Sequence, residues 1–368
     1  MDKIKNVSIE LPARIIVISD IHGELPLLQK LLKKVAYKPE DYLIINGDMI
    51  EKGEDSSGVL RYVMKHLANQ DRVFVTEGNC EILLDALLEE NPKFVDYVRM
   101  RKQSIFREWL NQIHFTLTEQ TTVQQIKDTL TDHFPKEIDF LLNLPTIIEM
   151  DDYLFVHAGL EDRKDWQNTD RGIATTQPEF LTKIHQADKF VVVGHWPVAN
   201  YCIDQECNNP IIDHEKKIIA IDGGNVMKSS GQLNALLIDI TEYKSRFSYT
   251  SVDYLPLAKV SQNYQPDKMM QGLVNYPSYR LFPMEKGEHF TKCLKEDKKT
   301  SIYVKNEYIK EADDGSFLAK DDLSCYQLEV LEGDEVSVVD DSCSGYTLVK
   351  KDGYVGWIPK KCLTDMVR

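Results

Sequence analysis

The sequence predicts an α/β region followed by a small all-β region in a chain of 368 residues. Over the first 254 residues, short β-branched apolar runs alternate with amphipathic helical stripes, which is the pattern of βαβ units. From about Tyr254 the long apolar runs stop, and the final residues form short alternating stretches joined by glycine-containing turns. We therefore predict a first domain at 1–254, a linker at 255–297 and a small β domain at 298–368.

The first apolar run, Ile15–Ile18, predicts a buried strand, and Asp20 and His22 follow it two residues apart. Alternate side chains at a strand end point the same way, so these two can converge just beyond the strand. One carboxylate and one imidazole suit a divalent transition metal. A helix N-cap is an equally ordinary explanation for Asp20, so the pattern becomes informative only because it recurs.

Four more apolar runs end in a ligand-type residue beside a glycine. A glycine at such a place lets the backbone turn sharply and approach a ligand closely. Five separate coincidences would be needed if these strands were purely structural, so we predict a metal site where they end. The five runs together deliver the candidate metal ligands Asp20, His22, Asp48, Asn79, His157 and His195.

In this order the six residues resemble the ligand series of the calcineurin-like metallophosphoesterases. Within them the chain resembles the phosphoprotein-phosphatase family and its bacterial relatives, which include the diadenosine tetraphosphatases. The resemblance covers roughly residues 13–240 and implies a β-sandwich flanked by helices, with two metals where the strands end. It implies that Asp20, His22 and Asp48 hold the first metal. The second metal would be held by Asp48, as the bridging ligand, together with Asn79, His157 and His195.

The resemblance predicts a two-metal phosphoesterase acting on phosphate monoesters or phosphoanhydrides, in a phosphoprotein or nucleotide-type substrate. Two cations about 3.5–4 Å apart clamp a phosphoryl group and generate a nucleophile at neutral pH, here a metal-bridging hydroxide. Manganese is the preferred ion because oxygen and nitrogen ligands suit it, and the same ligands also suit iron or zinc.

Two motifs depart from the family pattern. The usual G-D-x-x-D-R-G is here Gly47–Gly53 with Glu51 and Lys52, and the usual G-N-H-E carries Cys80 in place of its histidine. The resemblance implies that Cys80 replaces the general acid, with Glu51 as its carboxylate partner. Lys52 would replace the phosphate-binding arginine, as a point charge in place of a bidentate fork.

These departures leave two hypotheses for the function. A thiol with a reference pKa of about 8.5 is less suited than histidine to protonate a leaving group. An active enzyme would then prefer substrates whose leaving groups depart easily. The alternative is a degenerate phosphatase that binds a phosphorylated ligand or acts as a scaffold.

Three further segments carry functional predictions. Arg163 and Arg171 follow His157 in a charged loop, where each could bind phosphate or be a solvated surface charge. The largely helical segment 81–144 lies between two ligand-bearing strands, so we expect a cap that selects substrates or only covers a sheet face. Residues 298–368 resemble a Src-homology-3-like barrel, which could contact a peptide or protein or be a structural appendage.

The net charge and the cysteine content limit which classes of partner and which cellular compartment we expect. The net charge of −15 argues against non-specific nucleic-acid binding, because such binding depends on cationic side chains. The sequence lacks an apolar run near the roughly 18 residues of a membrane span, so no membrane contact is expected. Seven scattered cysteines do not resemble a disulfide framework and indicate a reduced, cytoplasmic protein. The expected partner is a phosphorylated protein or nucleotide substrate.

Overall fold

The computed structural model describes residues 3–266 and 270–364, and the chain divides into two compact units. The outermost residues of the predicted domains, 1–2 and 365–368, lie outside the described residues. The first unit comprises Met1–Pro197, Pro210–Val226 and Gln232–Asp253, and the second comprises Val198–Asn209, Met227–Gly231 and Tyr254–Arg368.

Two mixed sheets form the centre of the first unit. The six-stranded sheet has the order β1-β5-β6-β7-β9-β8, and the five-stranded sheet has the order β11-β10-β2-β3-β4. Their strands are β1 (Ile4–Val7), β2 (Ala13–Ile18), β3 (Tyr42–Asn46), β4 (Val73–Thr76), β5 (Ile147–Met150), β6 (Tyr153–Val156), β7 (Phe190–Val193), β8 (Ile211–Asp213), β9 (Ile218–Ala220), β10 (Leu233–Ile240) and β11 (Ser245–Val252).

Helices join the strands of the first unit, as the amphipathic stripes predict. A π-helical turn, Val63–Leu67, extends the second helix, and short 3₁₀ helices occur at Trp166–Asn168 and Phe180–Thr182. The α-helices are α1 (Leu25–Lys34), α2 (Ser56–Tyr62), α3 (Leu83–Leu88), α4 (Lys93–Met100), α5 (Ile105–Gln112), α6 (Val123–His133), α7 (Pro135–Leu142) and α8 (Arg171–Thr176).

Strand β2 shows how the sequence builds these layers. Ile15 and Val17 pack in the core between the two sheets, whereas Ile16 and Ile18 pack in the core beneath the helices. Because side chains alternate along a strand, a continuous run of β-branched residues can serve both cores. The strand is therefore buried on both faces, and the mixed α/β fold class predicted from the sequence is confirmed.

The segment 81–144 forms α3 to α7, and its buried apolar residues belong to the same core as Ile16 and Ile18 of β2. Phe106 packs edge-on against Trp109, whose ring stacks on Phe134 at 4.8 Å between centroids. Thr122 begins α6 with a capping box, and Pro135 occupies the first turn of α7, where a proline costs no hydrogen bond. The helical character predicted for this segment therefore has local causes in its sequence.

Parallel pairing brings the ends of the important strands to common edges. Strands β2, β3 and β4 run parallel to one another, as do β6, β7 and β9. Ligands gather at the carboxyl ends of parallel strands because all the following loops leave from the same edge. The two parallel groups, one in each sheet, therefore supply the loops that carry the predicted ligands.

The second unit is built of antiparallel sheets in its described residues. Residues 255–297, predicted as a linker, contribute β12 to β15, and these pair with strands from 298–364. The difference arises because short, weakly apolar strands give no long run in the sequence. The strands are β12 (Leu257–Lys259), β13 (Leu273–Val274), β14 (Arg280–Lys286), β15 (Phe290–Lys295), β16 (Ser301–Lys305), β17 (Ile309–Glu311), β18 (Phe317–Ala319), β19 (Leu323–Ser324), β20 (Glu335–Asp340), β21 (Tyr346–Lys351) and β22 (Tyr354–Pro359).

Trp357 lies at the centre of this second unit. It is fully buried, and its indole Nε1–H donates to the Ser324 carbonyl oxygen at 2.8 Å. This tryptophan therefore has a core role and does not offer an exposed ring to a ligand. The resemblance to a Src-homology-3-like barrel and its contact with a peptide or protein stay predictions.

Asn46, at the end of β3, provides a test of how the two sheets are joined. Its buried Nδ2 donates to the carbonyl oxygens of Val156 and Val192, on β6 and β7, and its Oδ1 accepts from Thr76. We expect Asn46→Ala to lower the free energy of unfolding by about 2–3 kcal/mol, because buried carbonyls lose their donors. Urea unfolding measures this.

The matched control for Asn46 is Asn69→Ala, because the Asn69 side chain is exposed and its amide donates at the surface. This control should change the free energy of unfolding by no more than about 0.5 kcal/mol. Equal losses in the two variants would contradict a bridging role for Asn46.

Candidate metal centre

The loops after the parallel strands bring the six predicted ligands into one cluster. Asp48, which follows β3, lies at its centre and is fully buried. Its Oδ2 is 3.8 Å from His22 Nε2, and its Oδ1 is 3.4 Å from His157 Nε2. The two oxygens of one carboxylate thus face two different histidines, from two different sheets.

The other three ligands extend these two groups. Asp20 Oδ1 lies 3.8 Å from His22 Nε2, on the side of Asp48 Oδ2. Asn79 Oδ1 lies 3.2 Å from His157 Nε2 and 2.8 Å from His195 Nδ1. Asn79 and His195 are only partly buried, whereas the other four ligands are buried, so the cluster opens on the side of these two residues.

Second contacts orient two of the imidazoles. His157 Nδ1 lies 3.0 Å from the Asn46 carbonyl oxygen, and His22 Nδ1 lies 3.4 Å from the Ile50 carbonyl oxygen. Since a carbonyl only accepts, each Nδ1 carries the proton and each Nε2 directs its lone pair into the cluster. That tautomer is the one a metal-binding histidine needs.

The backbone of the site is held in an uncommon conformation. Asp20, His22, Asp48 and His195 have φ angles of 57°, 49°, 51° and 65°, in the left-handed region. A side chain there costs of order 1–3 kcal/mol, so the surrounding structure must impose it. Gly47 is required by space as well, because a Cβ there would lie 2.6 Å from His157 Nδ1.

Glu81 holds the two central loops together, and the sequence analysis assigned it no role. Its buried carboxylate accepts from the backbone N–H groups of Asp48 and Met49 at 2.9 Å each and from that of Gly78 at 2.7 Å. The third motif contains this glutamate at a fixed distance from Asn79, which is the one sequence signal that could have found it. Glu81 therefore positions the loop of Asp48 against the loop of Asn79.

Burial and charge make the cluster a good host for cations. Burial, with help from the charge of Asp48, raises the pKa of Asp20 to about 7. Burial likewise lowers the pKa of His22 to about 3 and that of His195 to about 4. Burial also raises the pKa of Asp222, which follows β9, well above its usual range, and Asp20 adds to this.

The pKa of Asp48 is the exception, because nearby His157, His22 and Lys52 lower it despite burial. The cluster therefore combines the imidazoles of His22 and His195, whose pKa values burial lowers, with crowded, desolvated carboxylates. A divalent cation would relieve the repulsion between those carboxylates and accept the imidazole lone pairs. The residues present thus fit the metal ions that the sequence predicts.

Lys52, predicted to bind phosphate, extends into the same cluster. Its Nζ lies 3.1 Å from His22 Nε2 and 3.6 Å from Asp48 Oδ2. The ammonium group donates to the imidazole lone pair and is attracted to the carboxylate. The structure therefore places a positive charge of the chain beside the group that contains Asp20, His22 and Asp48.

Glu51 and Cys80, predicted as a proton-donating pair, have separate partners. The Glu51 carboxylate accepts from the Tyr97 hydroxyl, from the Ser104 hydroxyl at 2.9 Å and from the Ile105 N–H at 2.8 Å. The Cys80 thiol donates to Asp48 Oδ2 at 3.1 Å. The Glu51 carboxylate thus reaches the segment 81–144 and the Cys80 thiol reaches Asp48, and the catalytic roles predicted for the two residues stay untested.

The two predicted arginines are held by carboxylates outside the cluster. Arg171 forms a bidentate pair with Glu77, with N–O distances of 2.7 and 2.6 Å, and a further ion pair with Asp85. Arg163 pairs with Asp165 at 2.8 Å on the surface. The structure therefore does not bring either guanidinium into the metal cluster, and their predicted phosphate contacts stay untested.

Comparisons with known proteins find one matching family model and several similar structures. Residues 13–221 match the family model described as calcineurin-like phosphoesterase. One similar crystal structure, described as "a putative diadenosine tetraphosphatase", is 20% identical, with 67% of this chain and 97% of that chain covered and a TM-score of 0.42. A metallophosphoesterase from Sphaerobacter thermophilus is 12% identical, with 66% and 89% covered and a TM-score of 0.37. No curated protein matches the chain.

Within the part of the chain that the structure describes, no helix is long and apolar enough to cross a membrane. The family model spans more than half of the 368 residues and includes all six predicted ligands. The chain therefore belongs to the calcineurin-like phosphoesterase family, whose members are metal-binding hydrolases.

Proposed function

We propose that this chain is a two-metal phosphoesterase that hydrolyses phosphate monoesters or phosphoanhydrides. The observation that carries the proposal is the position of Asp48, whose Oδ1 faces His157 and whose Oδ2 faces His22. A carboxylate that presents one oxygen to each of two ligand groups is suited to bridge two cations. One group is Asp20, His22 and Asp48, and the other is Asp48, Asn79, His157 and His195.

A pair of divalent cations supplies the positive charge that clamps a phosphoryl group, and it also generates a nucleophile from water at neutral pH. Manganese is the proposed ion on the oxygen and nitrogen donors of the two groups, and iron or zinc fits them as well. The chain's own residues would orient the phosphate. Lys52 brings an ammonium group, and the partly exposed Asn79 and His195 form the open side by which a substrate can approach.

The partners of Glu51 and Cys80 support a preference for acidic leaving groups. Both oxygens of Glu51 accept hydrogen bonds from the segment 81–144, and the Cys80 thiol is directed at Asp48. We therefore propose that neither side chain protonates a leaving oxygen efficiently. Phosphoanhydrides and aryl phosphates need little protonation of the leaving group, so we propose them as the substrate class.

One observation favours a second candidate, a phospho-ligand-binding protein with weak catalysis. The Lys52 ammonium group already neutralises part of the carboxylate charge, 3.6 Å from Asp48 Oδ2. In that case the site would bind a phosphorylated ligand through this charge and turn it over slowly. Steady-state hydrolysis of p-nitrophenyl phosphate with added manganese separates the two candidates, since the enzyme would turn over substrate rapidly and the binding protein would do so slowly or not at all.

The bridging role of Asp48 predicts the effect of its substitution. Asp48→Asn removes the charge and replaces one oxygen by an NH₂ group that cannot bind a cation. We expect the manganese content of the loaded protein, measured by elemental analysis, to fall from two ions per chain toward one or none. The rate of p-nitrophenyl phosphate hydrolysis should fall at least about 100-fold. The control Asp132→Asn, whose side chain is 83% exposed on α6, should change neither. Wild-type protein that holds a single ion at saturation would contradict the proposal.

The positioning role of Glu81 predicts that its substitution lowers metal affinity although no metal ligand is removed. Glu81→Gln places an NH₂ group against backbone N–H donors, so the loops of Asp48 and Asn79 should shift apart. We expect metal affinity, measured by calorimetric titration, to fall by about 10–100-fold, as it does for other groups that orient ligands. Glu89→Gln, an exposed position nearby, is the control. If both variants bound metal like the wild type, the positioning role would be excluded.

The separated positions of Glu51 and Cys80 predict a steep dependence on the leaving group. We expect kcat/KM for p-nitrophenyl phosphate to exceed that for phosphoserine by at least the roughly 10²–10⁴-fold that general acid catalysis supplies. Parallel assays with the same metal loading measure this ratio. Similar values for the two substrates would show that another group protonates the leaving oxygen.

A further inference from the structure

Cys80 lies in a ligand cluster that shares His22 and Asp48 with the first metal group, and the sequence did not predict this cluster. A ring nitrogen of His22, a carboxylate oxygen of Asp48 and Cys80 Sγ all lie within 4.8 Å of one another, and all three residues are buried. The sulfur is 3.1 Å from Asp48 Oδ2, the same oxygen that faces His22 at 3.8 Å. Three different donor types therefore surround one point.

The backbone fixes this sulfur in place. The Cys80 N–H donates to Asp48 Oδ1 at 2.9 Å, while the thiol points at Oδ2 of the same carboxylate. The carboxylate of the neighbouring Glu81 holds the loop further, because it accepts hydrogen bonds from three backbone N–H groups. The Cys80 backbone is thus held against Asp48, and the thiol keeps its contact with Oδ2 unless the side chain rotates.

We propose that Cys80 is a ligand of the first metal, together with Asp20, His22 and Asp48, an inference that rests on the proposed two-metal function. When a divalent cation binds, the sulfur–hydrogen bond breaks, a sulfur–metal bond forms, and the proton passes to solvent, so that one proton is released with no change of oxidation state. Only the thiolate is a metal ligand, and it forms in this exchange.

The resulting donor set changes the choice of metal. Two carboxylate oxygens, one imidazole and one thiolate make four ligands, a number and mixture that zinc accepts readily. Soft thiolate ligands favour zinc over manganese, which prefers oxygen donors. The first position should therefore prefer zinc, while the second position, with its oxygen and nitrogen donors, stays open to manganese.

Lys52 is the one cation of the chain that meets this cluster in the described residues, and it can move away. Its Nζ lies 3.1 Å from His22 Nε2, and its side chain is 32% exposed at the end of a flexible four-carbon stem. A metal ion and the ammonium group compete for the same imidazole lone pair. Metal binding should therefore release Lys52 toward the open side of the site, where its charge can meet a phosphate.

Cobalt(II) is the probe that tests the sulfur ligand, because thiolate ligation gives an intense near-ultraviolet charge-transfer band. We expect the full-length wild type, titrated with cobalt, to show this band in proportion to the first ion bound. Cys80→Ser should lose the band and bind zinc at least about tenfold more weakly, with manganese affinity changed less. Cys202→Ser, a half-buried cysteine of the second unit, should keep the band and the affinity.

X-ray absorption at the zinc edge of the wild type is a second measurement that needs no variant to fold. It should show one sulfur at about 2.3 Å among oxygen and nitrogen neighbours. Two bound ions with no sulfur neighbour and no band would overturn the ligand role of Cys80 and leave the proposed phosphoesterase intact. A band that survives in Cys80→Ser would also overturn it. A wild type that binds no metal by elemental analysis would instead overturn the two-metal function itself, and this inference with it.

Discussion

The site depends on one buried carboxylate, that of Asp48, whose two oxygens are used separately. Oδ1 faces His157 and accepts the Cys80 N–H, and Oδ2 faces His22 and accepts the Cys80 thiol. A buried carboxylate is unfavourable unless its charge is compensated, so these contacts keep it ionised and immobile. The loops of the second and third motifs therefore depend on each other, because hydrogen bonds between them hold both in this shape.

The strained backbone around Asp48 is tolerated because the layers beneath it are rigid. Strands β2 and β3 are buried on both faces, by the core between the sheets and by the core under the helices. Asn46 ties β3 to β6 and β7 through two carbonyl contacts, and His157 Nδ1 lies within hydrogen-bond distance of the carbonyl of the same residue. A few kcal/mol of strain in the loops is offset by this packing, which is how a precise ligand geometry survives at the ends of strands.

Glu51 connects the second motif to the segment 81–144. Its carboxylate accepts from Ser104, at the start of α5, and from Tyr97 on α4. The segment is thereby fastened to the metal loops by a buried contact. The Cys80 thiol donates to Asp48, so Glu51 and Cys80 connect the metal loops in two different directions.

The sequence alone determined the α/β class, the helical segment 81–144 and the six candidate ligands, since apolar runs that end in Asp20, Asp48 or His157 mark buried strands whose ends carry chemistry. It also identified the two departures, at Glu51 and Cys80. The strands within 255–297 escaped it, because short half-polar strands become visible only when they pair. Tertiary structure alone decided the partners of side chains far apart in sequence. In the folded chain Arg171 pairs with Glu77, Glu81 accepts from the loop of Asp48, and the Cys80 sulfur lies near His22. Which partner a flexible polar side chain meets depends on distances between loops, and those distances are set by sheet pairing and packing, not by local sequence.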